Sequence, residues 1–272
     1  MRGDGLLRVV IAGEDEVHGA LGRALVDGCV RWLADDHQAD WIEPELVRRW
    51  AMEEVGGGRY FDTHPQVPWP EGGRRPQIHG HLRGQTLEPG ARKLREIFLW
   101  FLHLPQPPDL LVILVDTDGD LERTRGARQV LEFSASDEAA PRLVIGLPHP
   151  EGEAWLLAAP LSPAEAARVE VARRVLGFDP CKHPERLTSS PPHAPRDAKR
   201  VLRFVRLEDG DELAEGRPPS RPPRPDEADA LAASLALNLP RCAAYAGCQL
   251  SPMVQELRRA LASLLQERLP PV

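Results

Sequence analysis

Lysine is nearly absent from this 272-residue chain: Lys93, Lys182 and Lys199 are the only ones among 34 basic residues, and the rest are arginine. With 28 prolines alongside, this looks like GC-rich coding bias as much as selection, so no single arginine counts as a signal. Long apolar runs are also missing. Stretches such as "LLVILV" and "IFLWFL" fall far short of the roughly 20 residues that a bilayer-spanning helix needs. The opening "MRGDGLLRVVIAG" has neither the apolar core nor the cleavage site of a secretory signal. Four cysteines are too few for a disulfide framework at this length. A cytoplasmic protein with reduced thiols and no membrane attachment is the expectation. Excess positive charge is lacking too. The net charge of −7 excludes a protein that coats nucleic acid by bulk electrostatics, although a local basic groove stays compatible with it. The 42% apolar and 28% charged content is that of an ordinary globular chain, long enough for one large domain or two small ones.

"LLRVVIAG" (6–13) reads as a buried strand, and "EDEVHGALGRALVDGCVRWLA" as the helix after it, with Val17, Leu21, Leu25, Val26 and Cys29 at helical spacing. "DWIEPELVRRW" fits a strand or a short helix, and residues 52–89 read as a long loop insertion, a length usually tied to function or mobility. An amphipathic helix is expected over 90–104, a strand over 110–115, a helix over roughly 121–133, a third buried strand in "PRLVIGLPHP" and a helix from "EGEAWLLAA". "SPAEAARVEVARRVLG" carries a Ser162 cap, Pro163 at the first turn, Glu165 in the capping-box place and Gly177 as its stop. Strands apolar throughout and alternating with helices predict an α/β fold, a central parallel sheet with helices on both faces. Residues 1–207 form that domain. Residues 208–226 read as a proline-rich linker, with "AEGRPPSRPPRPDE" at its heart, and 227–272 as a C-terminal helical hairpin.

Three strand ends carry acids. The first runs into Glu14, Asp15 and Glu16, the second into Asp116, Asp118 and Asp120 of "DTDGD", the third towards Glu151 and Glu153. In a parallel sheet all three clusters share one edge, where such sheets place ligands. Close carboxylates repel by up to roughly 4 kcal/mol per pair at an effective dielectric near 20, and a divalent cation with oxygen ligands offsets that directly. The competing reading is structural: acids favour helix N-termini, and Asp and Gly favour turns.

The order of these parts resembles the Toprim fold of topoisomerases, primases and overcoming-lysogenization-defect nucleases. "LPHPEGEAWLLA", followed by "LGFDP" and "RDAKRVL", resembles segments of small stand-alone Toprim-like proteins of bacterial defence islands. The resemblance covers roughly residues 6–205 and is most specific at 110–120 and 148–157. It implies a compact Toprim-like sheet, Mg²⁺ or Mn²⁺ dependence, nucleic acid as partner and phosphodiester cleavage in anti-phage defence. Carried over, Glu14, Asp116, Asp118 and Asp120 would hold metal, and Glu14, Glu16 and Glu153 would serve catalysis. The family usually reads Glu-Gly at the first strand end, where this chain has Ala12-Gly13, so Glu14 would act from two residues on. Ala12 supports the alternative of a catalytically weak Toprim-like subunit that binds an ATPase through its C-terminal helices. A small-nucleotide phosphohydrolase is the third reading, and a homo-oligomer is compatible with each.

"RRPQIHGHLRG" (74–84) offers Arg74, Arg75, His79, His81 and Arg83 as a strip that tracks phosphates, or else a solvated loop. Arg123, Arg125 and Arg128 just past "DTDGD" could bind phosphate or pair with Glu122 and Glu132. Trp155 is expected to pack its helix on the sheet. Cys181, His183, His193, Cys242 and Cys248 lack the spacing of a zinc site.

Overall fold

A computed structural model of the chain describes residues 6–38, 42–64, 67–69, 78, 80–82, 84–135, 140–189, 194–207, 213, 222–242 and 249–268. It is an α/β fold with a parallel sheet between helices. Strand β1 (Leu7–Gly13) leads into helix α1 (Glu16–Asp36), and a short helix α2 (Pro44–Val47) runs straight into β2 (Arg48–Trp50). "PELVRRW" is therefore both of the elements that its sequence allowed. Within 52–89 the described residues include β3 (Phe61–Asp62) and a small antiparallel hairpin of β4 (His81–Leu82) and β5 (Gln85–Thr86). Then come α3 (Ala91–Leu102), β6 (Leu110–Leu114), α4 (Leu121–Ser134), β7 (Arg142–Gly146), α5 (Gly152–Leu156) and α6 (Pro163–Leu176). Helix α7 (Ala198–Leu202) passes into a π-helical turn over Arg203–Leu207. Helices α8 (Pro225–Leu237), α9 (Leu239–Cys242) and α10 (Leu250–Arg268) close the chain.

The sheet order is β2-β1-β6-β7, with β3 added to the far end of β1, and every pairing within it is parallel. Successive side chains on a strand face opposite ways, and the two cores follow that period. Val9, Ile11, Leu110, Val112, Leu114 and Val144 face a core shared with α1, α5, α6 and the C-terminal helices. Val10, Ala12, Leu111, Ile113, Leu143 and Ile145 face the other, under α3 and α4. Both faces are dry, so the strands had to be apolar throughout.

The C-terminal helices, which the sequence sets apart as 227–272, complete the first core. Ala228, Leu235, Val254, Leu257 and Leu261 are buried with Leu21, Leu25 and Cys29 of α1. Trp155 is fully buried in the same core, as expected. Helix α6 shows each sequence signal: Ser162 accepts from the Glu165 amide, Glu165 answers, and Gly177 ends the helix at φ 77°. Cys29, Cys181 and Cys242 are free, buried thiols, pushed up by burial to about 12, 12 and 11. No helix among the described residues is long and apolar enough to cross a membrane.

Where α4 meets the start of α3, only a glycine fits. A Cβ on Gly126 would lie 2.5 Å from the backbone nitrogen of Ala91 and 3.0 Å from the carbonyl carbon of Gly90. Alanine normally stabilises a helix interior by about 1 kcal/mol over glycine. Gly126→Ala is expected to reverse that sign and cost roughly 1–3 kcal/mol, because backbone cannot move aside as a side chain can. The urea midpoint should fall at unchanged slope; a rise in midpoint would refute the tight crossing.

Candidate metal centre at the sheet edge

The parallel register carries β1, β6 and β7 to a common edge, and the segments leaving them meet there. Asp15 caps α1, accepting from the His18 amide at 2.9 Å, which sets His18 one turn inside the helix. The imidazole is fully buried. Its Nε2 lies 2.9 Å from Asp116 Oδ1, and the Glu14 amide donates to its Nδ1 at 3.2 Å. Asp116 follows β6, and its Oδ1 also accepts from the amide of Gly152 at the head of α5, at 2.8 Å. Its own amide donates to Glu14 Oε2 at 3.4 Å. Glu14, His18 and Asp116 each offer a ligand atom within 4.8 Å of the others, and this buried group could hold a metal ion.

The electrostatics fit a site waiting for positive charge. Burial raises the Glu14 carboxyl above its ordinary value, Asp116 adds to that, and His18 and Arg123 oppose it. Burial pulls the His18 imidazole down, but the hydrogen bond and charge of Asp116, with Asp15 and Glu14 behind it, outweigh this and hold it at about 9. The hydrogen bonds add a second constraint. An amide N–H aimed at Nδ1 needs a lone pair there, so Nε2 carries the proton that goes to Asp116. Both ring nitrogens of a neutral imidazole are then in use. The contact from the Glu14 backbone sets this arrangement. It makes His18 a group that orients Asp116, as partners behind metal ligands commonly do, and leaves the carboxylates of Glu14 and Asp116 to face a cation.

Beside this group, α5 brings two more buried acids. Glu151 is pushed up by burial to about 7 although Lys199 Nζ sits 2.9 Å from its Oε1. Glu153, only 1% exposed, is pushed up by burial to about 8, and its Oε1 has no hydrogen-bond partner. Lys199 is itself pushed upward by Glu153 and Glu151, against its own desolvation. It lies on α7, which Asp197 caps.

The remaining residues fall elsewhere. Asp118 and Asp120, expected as ligands, are not gathered into the group. After Asp116 the chain makes a tight turn: Asp118 and Gly119 adopt φ 49° and 75°, and the Asp120 amide returns to Thr117 O at 2.7 Å. That turn sends Asp118 to Arg123 at 2.7 Å and makes Asp120 the N-cap of α4. For those two acids the turn-and-cap reading describes the observed contacts. Glu16 starts α1 and faces Arg59 at 3.7 Å, outside the group. Arg123 also donates to Asp116 O at 2.8 Å, while Arg125 reaches Glu88 and Glu122. His81 is exposed in β4, whereas Arg74, Arg75, His79 and Arg83 lie outside the described residues, as do His193 and Cys248. Sequence reasoning missed His18, although Glu14 and His18 stand four apart at a helix start. It missed Lys199 too, one of three lysines in the chain.

No family model, curated protein or solved structure matches this chain.

Two measurements follow from the geometry. Mn²⁺ titration by calorimetry should show binding that Asp116→Ala abolishes and that His18→Gln weakens by roughly 10–100-fold, as for a group behind a ligand. Unchanged affinity in both variants would remove the metal centre. Metal-free Glu153→Gln tests the second acid. A carboxyl ordinarily near 4.5 but held at about 8 in the fold gives stability below the lower value and loses it as pH rises through the higher. The melting temperature of Glu153→Gln relative to wild type should therefore climb between about pH 5 and 9; a flat difference would show Glu153 to be solvated.

Proposed function

We propose that this protein is a metal-dependent phosphodiester hydrolase of Toprim type, acting on nucleic acid. The supporting observation is the buried Glu14–His18–Asp116 group on the carboxyl edge of a parallel sheet, with Lys199 and Arg123 at its margins. With His18 occupied at both nitrogens, the free donors are carboxylate oxygens. Oxygen donors suit Mg²⁺ or Mn²⁺ rather than the thiol- and imidazole-bound metals. A cation held by Glu14 and Asp116 would supply Lewis acidity to the phosphate.

The chain's own groups have separable tasks. Glu14, partly buried and raised above the ordinary carboxyl value, is the group placed to accept a proton from an attacking water. Asp116 is locked in one rotamer by His18 and Gly152, which fixes the direction of its remaining oxygen. Lys199 places an ammonium beside Glu151, where a leaving oxygen gains negative charge. Glu153 stays neutral at pH 7 until positive charge comes near, so it reads as a second, conditional anion. A role in anti-phage defence rests on the family resemblance alone.

Ala12 carries the alternative, a weakly active subunit served by an ATPase. It pairs with Ile113 and Phe61 inside the apolar layer under α3. Glu14, two residues on, lies just past the end of β1, where its carboxylate accepts from the Asp116 amide.

Plasmid and single-stranded DNA or RNA incubated with Mg²⁺ or Mn²⁺ should be cut by wild type and left intact by Asp116→Ala and by Glu14→Gln. No cutting by wild type, alone or with an ATPase encoded beside it, would favour the binding subunit.

A further inference from the structure

The two edges of the sheet are built differently. β2 is three residues long, and Arg48 there pairs with Asp27 and stacks 4.1 Å from the ring centre of Trp50, with Arg49 beside it. Charge and shortness of that kind blunt an edge against pairing. β7 carries neither device beyond Arg142: the rest is Leu143, Val144, Ile145 and Gly146. Arg142 and Gly146 bond towards the sheet, through Asp109 O at 2.9 Å and the Val115 amide at 3.1 Å. By alternation, Leu143 and Ile145 turn their N–H and C=O groups outward, and no hydrogen bond among the described residues occupies them. They open into a groove of about 770 Å³ between α4 and α10, which Leu131 and Met253 help to line.

We propose that a second copy of this chain occupies that groove, laying its β7 antiparallel on this one across a two-fold axis and joining the two sheets. Two observations select a copy rather than an unrelated strand. The first is backbone geometry. Outward groups at 143 and 145, and none between, let Leu143 face Ile145 of the second copy as a reciprocally bonded pair, twice over.

The second observation is charge. On α4, Arg128 and Glu132 are exposed one turn apart, line the groove, and have no ion-pair partner among the described residues. On α10, Glu256 and Arg259 also line the groove and are already ion-paired with each other at 2.7 Å. Helix α10 runs against β7, since Arg142 meets Glu267 at 3.1 Å while Gly146 faces Met253. Positions 256 and 259 therefore lie beside the strand's middle. About that two-fold, Arg128 on α4 would come to face Glu132 of the second copy across the groove, and Glu132 to face Arg128. A lattice of charges that is its own complement fits an isologous interface.

Sedimentation velocity on the full chain across the micromolar range should give twice the 30.1 kDa chain mass. Arg128→Glu and Glu132→Arg, both exposed and away from the cores, should each raise the dimer dissociation constant by roughly tenfold or more at low salt, because each sets two like-charge pairs face to face. The double variant carrying both changes should restore the wild-type constant. Circular dichroism checks that each variant is folded. A monomer throughout the range would overturn the proposal, and so would a dimer indifferent to the single reversals or one that the double exchange fails to restore.

Discussion

Asp116 Oδ1 holds two hydrogen bonds, one from the His18 imidazole and one from the Gly152 amide. Through this oxygen the segment leaving β6 is fastened to the first turn of α1 and the head of α5, while the Asp116 amide reaches back to Glu14. A buried carboxylate is tolerable only with such partners, so removing one would leave the others exposed to the same penalty. The approach at Gly152 is tight, so any side chain there would have to displace its neighbours by a few tenths of an ångström. A Cβ on Gly152 would lie 3.1 Å from Val17 and 3.3 Å from the His18 ring. The carboxylate that would face a cation with one oxygen therefore locks three chain segments together with the other.

The fold was legible because a sheet covered on both faces needs strands that are apolar throughout. Such runs marked β1, β6 and β7, and the Ser162-to-Gly177 signals delimited α6 to the residue. The place of the site was legible for the same reason: parallel strands bring their ends to one edge. Its membership was less so. Placing Asp116 and Asp118 on one side assumes extended backbone, yet the chain leaves the strand before Asp118 and turns through two left-handed residues. His18 gives no signal of its own in a strand-end pattern of carboxylates, yet a ring nitrogen four residues past Glu14 on the helix start reaches the same point. The insertion over 52–89 looked structureless because β3 is two residues long and takes its register from β1.

Prolines and arginines over 214–227 read as a linker, with a helical hairpin expected after it. The apolar faces of α8 and α10 need a cover, however, and α1 supplies it. Cys29 Sγ lies 3.9 Å from Val254 O and Cys242 Sγ 3.2 Å from Ala158 O, thiols used as small apolar filler. Arg206 works likewise in the interior, capping Leu157 O at 3.0 Å and Pro160 O at 2.8 Å and pairing with Glu165.

The scarcity of lysine acquires a meaning once Lys199 is placed. Of three side-chain amines, that one is partly enclosed and bound to Glu151, and Lys182 stands open to solvent. Acylating or ubiquitin-conjugating chemistry, which needs a primary amine, thus finds few footholds on this surface. Arginine supplies the positive charge without offering any.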